Sequence, residues 1–409
     1  MKALVGIALA VTVVVAVVLV LQRRDAGDVV GSPSVEFVPR EPREPPERSA
    51  GAAREWPTYG RTGARLRTDA ASPLAPPFRV VWTFRAGNLL EFPPALAGGR
   101  LYLATFRGRL YALAPSTGRV LWRRTSARCA AATPAVANDL VFQTFLLHAP
   151  RCRDGRADGA LVAFDAATGR VRWRVALPAT ESSPLVTGGL VVVGDWSGAV
   201  SAFAVQTGAL RWRFHAGGPI KAAVASAGGR LYVGDYDGRL YALGRDTGRL
   251  LWRASSRRFL GRHGAFYSTP AVAYGRVYLG STDRAVYSFG ARTGHLRWRR
   301  ATGGYVYSSP AVWRRRVFIG SYDGRLYALD AATGRVRWTF EAGGPISGAP
   351  AVLGDVVYVS TLRERTFALA AATGRLLWQF PDGKYTAAIG DEERLYLVGY
   401  ERLFGLRPK

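Results

Sequence analysis

The sequence is poor in the residues that most catalytic and metal sites require. Its 409 residues contain two cysteines and four histidines, and no histidine has metal-ligand spacing to another histidine or to an acidic residue. It has no Gly-x-Ser-x-Gly nucleophile turn, no phosphate-binding loop and no zinc motif. We therefore predict no catalytic residue, no metal site and no cofactor.

Acidic residues and lysines are also scarce. The chain has 29 acidic against 56 basic residues, a formal net charge of +27, and only four of the basic residues are lysines. Residues 1–54 hold seven basic and six acidic residues, which leaves 49 and 23, a net charge of +26, for the remainder. Such a field attracts polyanions, including nucleic acid, anionic lipid and anionic envelope polymers. An arginine-rich composition without any ligand would give the same charge.

One long uncharged run, residues 3–21, lies at the N-terminus. Its length nearly matches the ~20 residues that span a bilayer as a helix. A cleaved signal peptide is the alternative, but no small-x-small cleavage site follows the run. We predict a transmembrane signal-anchor over residues 1–22, in a single-pass cell-membrane protein whose remaining chain is extracytoplasmic. Lys2 on one side and Arg23 and Arg24 on the other leave the orientation undecided.

Residues 23–54 are rich in proline, arginine and glutamate. Such a composition cannot bury a core and favours extended polyproline conformations. We predict a disordered linker over these residues. Because a membrane anchor keeps the chain away from nucleic acid, we rank anionic lipid or an envelope polymer above nucleic acid as a partner.

A repeat fills the rest of the chain. Thr-Gly-x-x-x-Trp recurs with Trp at 122, 173, 212, 252, 298, 338 and 378, and Trp82 lacks the Thr-Gly. The intervals from Trp82 onward are 40, 51, 39, 40, 46, 40 and 40 residues. Each unit contains four short strand patterns, with Asp-Gly hairpins and the Thr-Gly turn between them. Four strands per ~40 residues is the blade of a β-propeller.

The two ends of the repeat complete each other. Residues 79–84 supply a Trp strand without its preceding strands, and residues 395–406 supply strands without a Trp. We predict that they form one composite blade, which makes an all-β, eight-bladed propeller over residues 55–409. Closure of the ring in this way removes the free edges of a linear stack.

The units resemble the pyrroloquinoline-quinone-type propeller repeat, Ala-x-Asp-x-x-Thr-Gly-x-x-x-Trp. This repeat is found in eight-bladed quinoprotein alcohol dehydrogenases and in the propeller lipoprotein of the outer-membrane barrel-assembly machine. The resemblance covers about residues 56–409, and Trp56-Pro-Thr-Tyr-Gly-Arg61 is similar to the segment that leads into the family's propeller. It implies a structural role, docking against the neighbouring blade, for Trp82, Trp122, Trp173, Trp212, Trp252, Trp298, Trp338 and Trp378. It does not fix the function, since one fold serves many functions.

The two cysteines fall on one face of such a propeller. Cys129 precedes the first strand of its blade and Cys152 lies in the loop between its second and third strands. A Cys129–Cys152 disulfide is the prediction, and it favours an oxidising compartment. Two unrelated free thiols are the alternative.

Two insertions interrupt the repeat on that same face. Eleven extra residues lie in 148–158 and six in 255–267, and variable loops on a rigid scaffold often bind partners. We expect the tip of the second loop to overhang the axial opening. The candidate binding face comprises Arg151, Arg153, Lys221, Arg257, Arg258, Arg262, His263, Tyr305, Tyr307 and Lys384. Two solvated loops without a ligand are the alternative.

The functional hypothesis is a non-catalytic binding or scaffold protein, with a monomeric propeller and a protein or anionic envelope polymer or lipid as partner. A quinone-dependent oxidoreductase with an atypical site is the second hypothesis. Its vicinal cystine is not apparent, because the two cysteines lie far apart in sequence. Asp235, Asp237 and Asp323 could be calcium ligands, but each belongs to a repeated hairpin whose turn explains it. A sensor of a small ligand in the axial pocket is the third.

Overall fold

Eight β-sheet blades surround a central axis in the computed structural model, which describes residues 27–42, 54–147, 152, 158–259, 262–385 and 388–409. Within these ranges no helix is both long and apolar enough to cross a bilayer. The predicted anchor over residues 1–22 lies outside the described residues.

The strands follow one another with short turns, as the repeat predicts. In chain order they are β1 (Thr68–Asp69), β2 (Phe78–Arg85), β3 (Ala95–Ala97), β4 (Arg100–Ala104), β5 (Arg109–Leu113), β6 (Val120–Thr125), β7 (Ala135–Ala137), β8 (Leu140–Phe145), β9 (Gly159–Asp165), β10 (Val171–Leu177), β11 (Leu185–Thr187), β12 (Leu190–Gly194), β13 (Ala199–Ala204), β14 (Leu210–His215), β15 (Ala225–Ala227), β16 (Arg230–Gly234), β17 (Arg239–Gly244), β18 (Leu250–Ser255), β19 (Arg258–Phe259), β20 (Arg262–His263), β21 (Ala271–Ala273), β22 (Arg276–Ser281), β23 (Ala285–Gly290), β24 (Leu296–Ala301), β25 (Ala311–Trp313), β26 (Arg316–Gly320), β27 (Arg325–Asp330), β28 (Val336–Glu341), β29 (Ala351–Leu353), β30 (Val356–Thr361), β31 (Arg365–Ala370), β32 (Leu376–Phe380), β33 (Ala388–Gly390), β34 (Leu395–Val398) and β35 (Arg402–Pro408).

Each blade is an antiparallel four-stranded meander whose first strand lies nearest the axis. Blades 1 to 7 are formed by β3–β6, β7–β10, β11–β14, β15–β18, β21–β24, β25–β28 and β29–β32. Blade 8 combines β33, β34 and β35 with the N-terminal strand β2, and Thr83 pairs with Phe404 in its register. The composite closing blade and the count of eight confirm the sequence prediction.

Burial follows the position of a strand within its blade. The two middle strands are buried along almost their whole length, since neighbouring blades pack on both of their faces. The outer strand alternates: in β10, Arg172 and Arg174 are exposed, while Trp173 and Val175, the residue after each arginine, are half-buried. Charged side chains on this outer edge discourage pairing with another sheet.

The repeated Trp joins each blade to the next. In seven joints the indole Nε1 donates a hydrogen bond of 2.9–3.2 Å to a carbonyl in the turn between the third and fourth strands of the following blade. These pairs are Trp82–Pro115, Trp122–Ala166, Trp173–Val205, Trp212–Arg245, Trp252–Ala291, Trp298–Ala331 and Trp338–Ala371.

The Thr-Gly glycine is required at the joint by both its backbone and its lack of a side chain. Gly334 has φ +72, a conformation that L-residues rarely adopt. A Cβ atom there would lie 2.7 Å from Cδ2 of Trp298. The glycine therefore lets the turn lie flat against the indole ring of the preceding blade.

Trp378 makes a different joint from the other seven. The blade that follows it is the composite one, in which the third and fourth strands come from opposite ends of the chain. No Thr-Gly turn can form there, and the Trp378 ring instead meets the edge of Phe78, with ring centroids 5.4 Å apart. The docking role predicted for Trp378 is thus carried by a ring contact.

Residues 54–69, which we call the axial segment, run along the central channel. Their backbone hydrogen-bonds to the middle residue of the innermost strand in six of the eight blades. The bonded pairs are Trp56–Leu96, Pro57–Val136, Gly63–Ser226, Ala64–Val272, Leu66–Val312 and Arg67–Val352. The last residues of the segment form β1, which pairs in parallel with β29 of blade 7.

Two buried arginines fix the axial segment. The Arg65 guanidinium donates to the carbonyl oxygens of Val224, at 2.9 Å, and Ser183, at 3.2 Å, in two different blades. Arg67 donates to the Pro310 carbonyl at 2.9 Å. Burial, together with the positive charge of Arg67, lowers the pKa of Arg65 to about 9, so its guanidinium remains charged at neutral pH.

Residues 27–42, which we call the rim segment, pack on the outside of blade 5. Val29 exchanges two backbone hydrogen bonds with Arg299 of the outer strand β24, at 2.9 and 3.0 Å. The ring of Phe37 lies 5.4 Å from that of Tyr274 and is 8% exposed. Arg276, which is fully buried, donates to the Glu36 carbonyl at 2.7 Å.

These contacts correct the prediction of a disordered linker over residues 23–54. The prediction is wrong for residues 27–42, while residues 43–53 lie outside the described residues. Composition misled it because the contacts come from backbone groups, a few well-placed side chains and the partner surface of blade 5. The segment needs no core of its own when the propeller supplies one.

Candidate functional site

A cavity of about 300 Å³ lies on the axis. It opens on the face formed by the loops between blades and the turns between second and third strands, since residues of both loop classes line it. All eight blades contribute to its lining, and Tyr59 of the axial segment lies at its inner end. The repeat architecture thus converges on one central pocket.

One position of the repeat supplies a lining residue from every blade. It lies four residues before the innermost strand in blades 1 to 7 and three residues before it in blade 8. We call these residues the axial ring; in blade order they are Glu91, Ala131, Glu181, Lys221, Tyr267, Tyr307, Ser347 and Tyr385. Their chemistry differs from blade to blade, although their positions in the repeat are equivalent.

Lys221 sits among aromatic rings and one carboxylate. Its Nζ lies 4.5 Å from the Trp196 ring centroid and 4.6 Å from that of Tyr236. The same atom lies 3.6 Å from Oε1 of Glu181, and the Trp196 indole donates to that oxygen at 3.1 Å. Cation–π and ionic attraction therefore hold an ammonium group at the wall of the pocket.

The two carboxylates of the axial ring differ in their partners. Burial raises the pKa of Glu181, although Lys221 opposes that rise. Burial and the negative charge of Glu181 raise the pKa of Glu91 to about 7. Among the described residues no hydrogen bond or ion pair reaches the Glu91 carboxylate. The described lining thus holds two carboxyl groups against one ammonium group.

A ladder of five tyrosines leads from the pocket to the surface. Ring centroids are 6.0 Å apart for Tyr236 and Tyr267, and 5.4 Å apart for Tyr267 and Tyr307. Tyr307 then contacts Tyr322, at 5.0 Å, and Tyr305, at 6.3 Å. Tyr305 is 45% exposed. This tyrosine ladder presents a continuous aromatic surface across blades 4 to 6.

A disulfide lies on the opposite wall. Cys129 and Cys152 are bonded, with their Cα atoms 5.8 Å apart. The Cys129 backbone amide donates to the Leu147 carbonyl at 2.9 Å, and Cys152 lines the pocket. The bond thus ties one residue of the blade 2 insertion to the wall of the cavity.

Four of the predicted binding residues lie at or beside the pocket. Lys221 and Tyr307 belong to the axial ring, and Tyr305 is the exposed end of the tyrosine ladder. Lys384 precedes the ring residue Tyr385; its Nζ lies 4.3 Å from the Tyr400 ring centroid and 3.3 Å from Glu364.

Four other predicted residues lie in the loop between blades 4 and 5: Arg257, Arg258, Arg262 and His263. Arg258 and Arg262 belong to the small hairpin β19–β20. At its base, the Arg257 amide donates to the Tyr287 hydroxyl at 2.8 Å, and His263 Nδ1 lies 2.6 Å from the Ser256 carbonyl oxygen.

Neither Arg257 nor His263 lines the pocket. The described base of the hairpin therefore lies over the third strand of blade 5. Its tip, residues 260–261, lies outside the described residues, so the expectation that the tip overhangs the axis stays a prediction. The Tyr287 hydroxyl, which accepts the hydrogen bond from the Arg257 amide, holds the base of the loop over blade 5. Arg151 and Arg153 lie outside the described residues.

Sequence reasoning missed Glu91, Glu181, Trp196 and Tyr59. Alignment of the repeats on the residue that opens each innermost strand would have found the first two, since both occupy the axial-ring position. Tyr59 could not be found in this way, because it belongs to no repeat and reaches the pocket only through the path of the axial segment.

The described residues do not fit a metal-dependent quinone site. No group of three or more His, Cys, Asp or Glu side chains in the described ranges could hold a metal ion. The carboxylates in the described lining are Glu91 and Glu181, with no aspartate, and the cystine joins residues 23 apart in sequence. The described lining thus offers no aspartate, vicinal cystine or group of metal ligands of the kind that a quinoprotein dehydrogenase would need.

Solved structures with the same fold include BamB and several dehydrogenases. BamB from Moraxella catarrhalis is 19% identical, with a TM-score of 0.66, covering 81% of this chain and 100% of that one. The quinohemoprotein alcohol dehydrogenase from Comamonas testosteroni is 15% identical, with a TM-score of 0.73 and coverage of 88% and 82%. A europium-containing methanol dehydrogenase is 15% identical, with a TM-score of 0.70 and coverage of 86% and 90%. At these identities the likeness shows the fold alone.

Sequence comparison with protein families is more specific. No curated protein matches this chain. The family described as outer membrane protein assembly factor BamB matches residues 74–213, 196–308 and 301–408, which together span all but the N-terminal part of the chain. On that match the chain belongs to the BamB family of eight-bladed propellers.

Proposed function

We propose that this chain is a membrane-tethered, extracytoplasmic scaffold that binds a protein partner without catalysis. The observation that carries the proposal is the tyrosine ladder on the pocket face. Tyrosine and tryptophan are enriched among the residues that dominate protein–protein binding, because they bury much apolar area and keep a polar end. Membership in the BamB family supports a protein partner.

The rim segment supports a defined placement of the propeller at the membrane. Gly27 lies at the edge of blade 5, where its carbonyl is 3.4 Å from Nη1 of Arg257 and 3.5 Å from Nη1 of Arg299. Only residues 23–26 separate it from the proposed anchor, a reach of at most ~14 Å. An anchor over residues 1–22 would therefore hold the rim of blade 5 near the lipid. The pocket face would then remain accessible to a partner from the side.

Site-specific photo-crosslinking in the native membrane tests the protein partner. A photoreactive amino acid at Tyr305 should give a discrete crosslinked protein, and the same amino acid at Arg335, on the opposite face, should not. Further substitution of Tyr322 by Ala should weaken the crosslink at position 305. Equal crosslinking from both faces, or from neither, would contradict the proposal.

Anionic lipid is proposed as a second contact at the rim of blade 5. The segment 253–263 carries five arginines or histidines and no acidic residue, and it adjoins Gly27. In nanodiscs, energy transfer from the propeller to headgroup-labelled lipid should rise when anionic lipid replaces neutral lipid. Substitution of Arg257, Arg258 and Arg262 by Ser should abolish that rise, because screening and counterion release act on exposed charge. Substitution of Arg170, Arg172 and Arg174 by Ser is the control; an equal loss in both variants would indicate a diffuse field.

A further inference from the structure

The axial ring has a gap between its two carboxylates. Glu91 and Glu181 come from blades 1 and 3, and blade 2 between them contributes Ala131, whose side chain is a single methyl group. The two carboxyl groups interact electrostatically, since the negative charge of Glu181 helps to raise the pKa of Glu91. Two carboxylates that face one cavity repel each other, and either a proton on one of them or a bound cation relieves that repulsion.

The protein itself shows what the pocket does with an ammonium group. Lys221 places its Nζ against Trp196, Tyr236 and Glu181, which is a cage of aromatic faces and one carboxylate. The same types of group continue around the cavity toward Glu91. The Tyr267 hydroxyl donates to Oε2 of Glu181 at 3.5 Å, and the negative charges of Glu181 and Glu91 add to burial in raising the pKa of that phenol.

Aromatic rings also line the Glu91 side of the cavity, and one of them, Tyr59, carries the buried Arg67 guanidinium 4.5 Å from its ring centroid. Tyr59 and Phe92 meet edge to face there, with ring centroids 5.7 Å apart, and both line the cavity. Among the described lining residues Lys221 is the one basic side chain, and it is engaged by Glu181. Glu91 thus faces aromatic walls without an ammonium partner, in a protein whose remaining surface is strongly basic.

We propose that the axial pocket binds a small organic monocation, a primary or quaternary ammonium compound, between Glu91 and Glu181 over Ala131. The bound cation balances the second carboxylate and packs against the aromatic walls. A cavity of about 300 Å³ lies at the lower end of the range for small-molecule sites, so the ligand is small. This site goes beyond the proposed scaffold function and does not depend on it.

Calorimetric titration of the full-length protein in detergent tests the site. The probes are choline and n-butylammonium, with 3,3-dimethylbutan-1-ol as the neutral isostere of choline and with KCl and CaCl₂ as inorganic cations. Saturable one-to-one binding of an organic cation, with none of the neutral isostere, is the expected result. No saturable binding up to ~10 mM, or equal binding of the neutral isostere or of the inorganic cations, would overturn the proposal.

Matched carboxylate variants locate the cation. Glu91→Gln keeps the size of the side chain and removes its charge, and should weaken binding at least about tenfold. Glu341→Gln, which removes an exposed carboxylate on the outer strand of blade 6, should leave binding unchanged. Unaltered binding by Glu91→Gln, with its fold verified by circular dichroism, would contradict a site at Glu91.

Proton release gives a readout that a purely structural role would not move. Because burial and the charge of Glu181 raise the pKa of Glu91 to about 7, a cation bound near pH 6.5 should displace part of a proton. Titration in two buffers of different ionisation enthalpy measures that proton, and Glu91→Gln should abolish it. The other titratable groups facing the site are Glu181, Lys221, Tyr59, Tyr267, Tyr307 and Tyr385. Cation binding without proton release from the wild-type protein would overturn the assignment to Glu91.

Discussion

The two faces of this propeller use equivalent positions of the repeat in opposite ways. On one face, the turns between third and fourth strands dock on a Trp ring with nearly the same geometry in seven joints. On the other, the axial ring presents carboxylates, an ammonium group, phenols and small side chains in turn. The comparison teaches that the repeat holds the blades together through one face and leaves the other free to vary. Substitutions should therefore separate into those that affect stability and those that affect binding.

The largest expected effect is at the most deeply buried joint. Trp298 is fully buried, whereas Trp338 at the equivalent position is only partly buried. Trp298→Ala should lower the free energy of unfolding by ~3–5 kcal/mol, and Trp338→Ala should lower it by less, because the cost follows the buried volume removed. Denaturant unfolding measures both. A Trp298→Ala protein as stable as the wild type would show that the Trp joints on this face do not hold the blades together.

The disulfide is the one covalent link on the variable face. It closes a loop of 23 residues, so Cys129→Ser with Cys152→Ser should lower the free energy of unfolding by ~3 kcal/mol through the entropy of the unfolded chain. Peptide mapping without reduction, on protein from the native host, should find the cross-linked pair. Two free thiols in that protein would show that no covalent link stabilises the variable face.

Two glycines separate backbone strain from docking. Gly334 and Gly228 both have positive φ, +72 and +56, but only Gly334 has a Trp ring where a Cβ would lie. Gly228→Ala should cost ~1 kcal/mol through strain alone, and Gly334→Ala should cost ~2 kcal/mol more through displacement of the Trp298 ring. Thermal unfolding of the two variants gives the difference. Equal losses would mean that contact with the ring adds nothing.

The effect on stability expected at the axial ring is modest, and it depends on pH. The pKa of Glu91 is raised from 4.5 to about 7 by burial and by Glu181, so the folded state holds this proton more tightly than the unfolded state. Its contribution to stability is present below about pH 4.5 and is lost as pH rises to about 7. Glu91→Gln should match the wild type near pH 4 and exceed it by ~1–2 kcal/mol above pH 7. A pH-independent difference would show that charge is not the cause.

The fold was predictable because its determinants are local and repeated. Seven copies of Thr-Gly-x-x-x-Trp set the blades, and the orphaned strand around Trp82 required a partner at the other end of the chain. The path of residues 54–69 was not predictable, because its hydrogen bonds run to six blades and follow no repeat. The packing of residues 27–42 was missed for a similar reason: the apolar surface that Phe37 covers belongs to blade 5.

The candidate site divides in the same way. Lys221, Tyr305 and Tyr307 were predicted from loop position and residue type, and the structure places them at or beside one pocket. Arg257 and His263 were also predicted to lie there and do not line the pocket, because the Tyr287 hydroxyl and the rim segment hold the base of that loop over blade 5. The charge of a side chain does not show which way its loop runs from the propeller. That depends on the surface against which the loop packs.

The sequence alone determined the number of blades, the closing pair of strands and the residues that join one blade to the next, because each joint needs only neighbouring units. Tertiary structure alone decided what faces the axis. There, single residues from eight blades and one residue of a segment outside the repeat meet in a cavity of about 300 Å³. Whether a carboxylate such as Glu91 finds a partner depends on side chains up to nearly three hundred residues away in sequence. Their proximity arises only when the ring has closed.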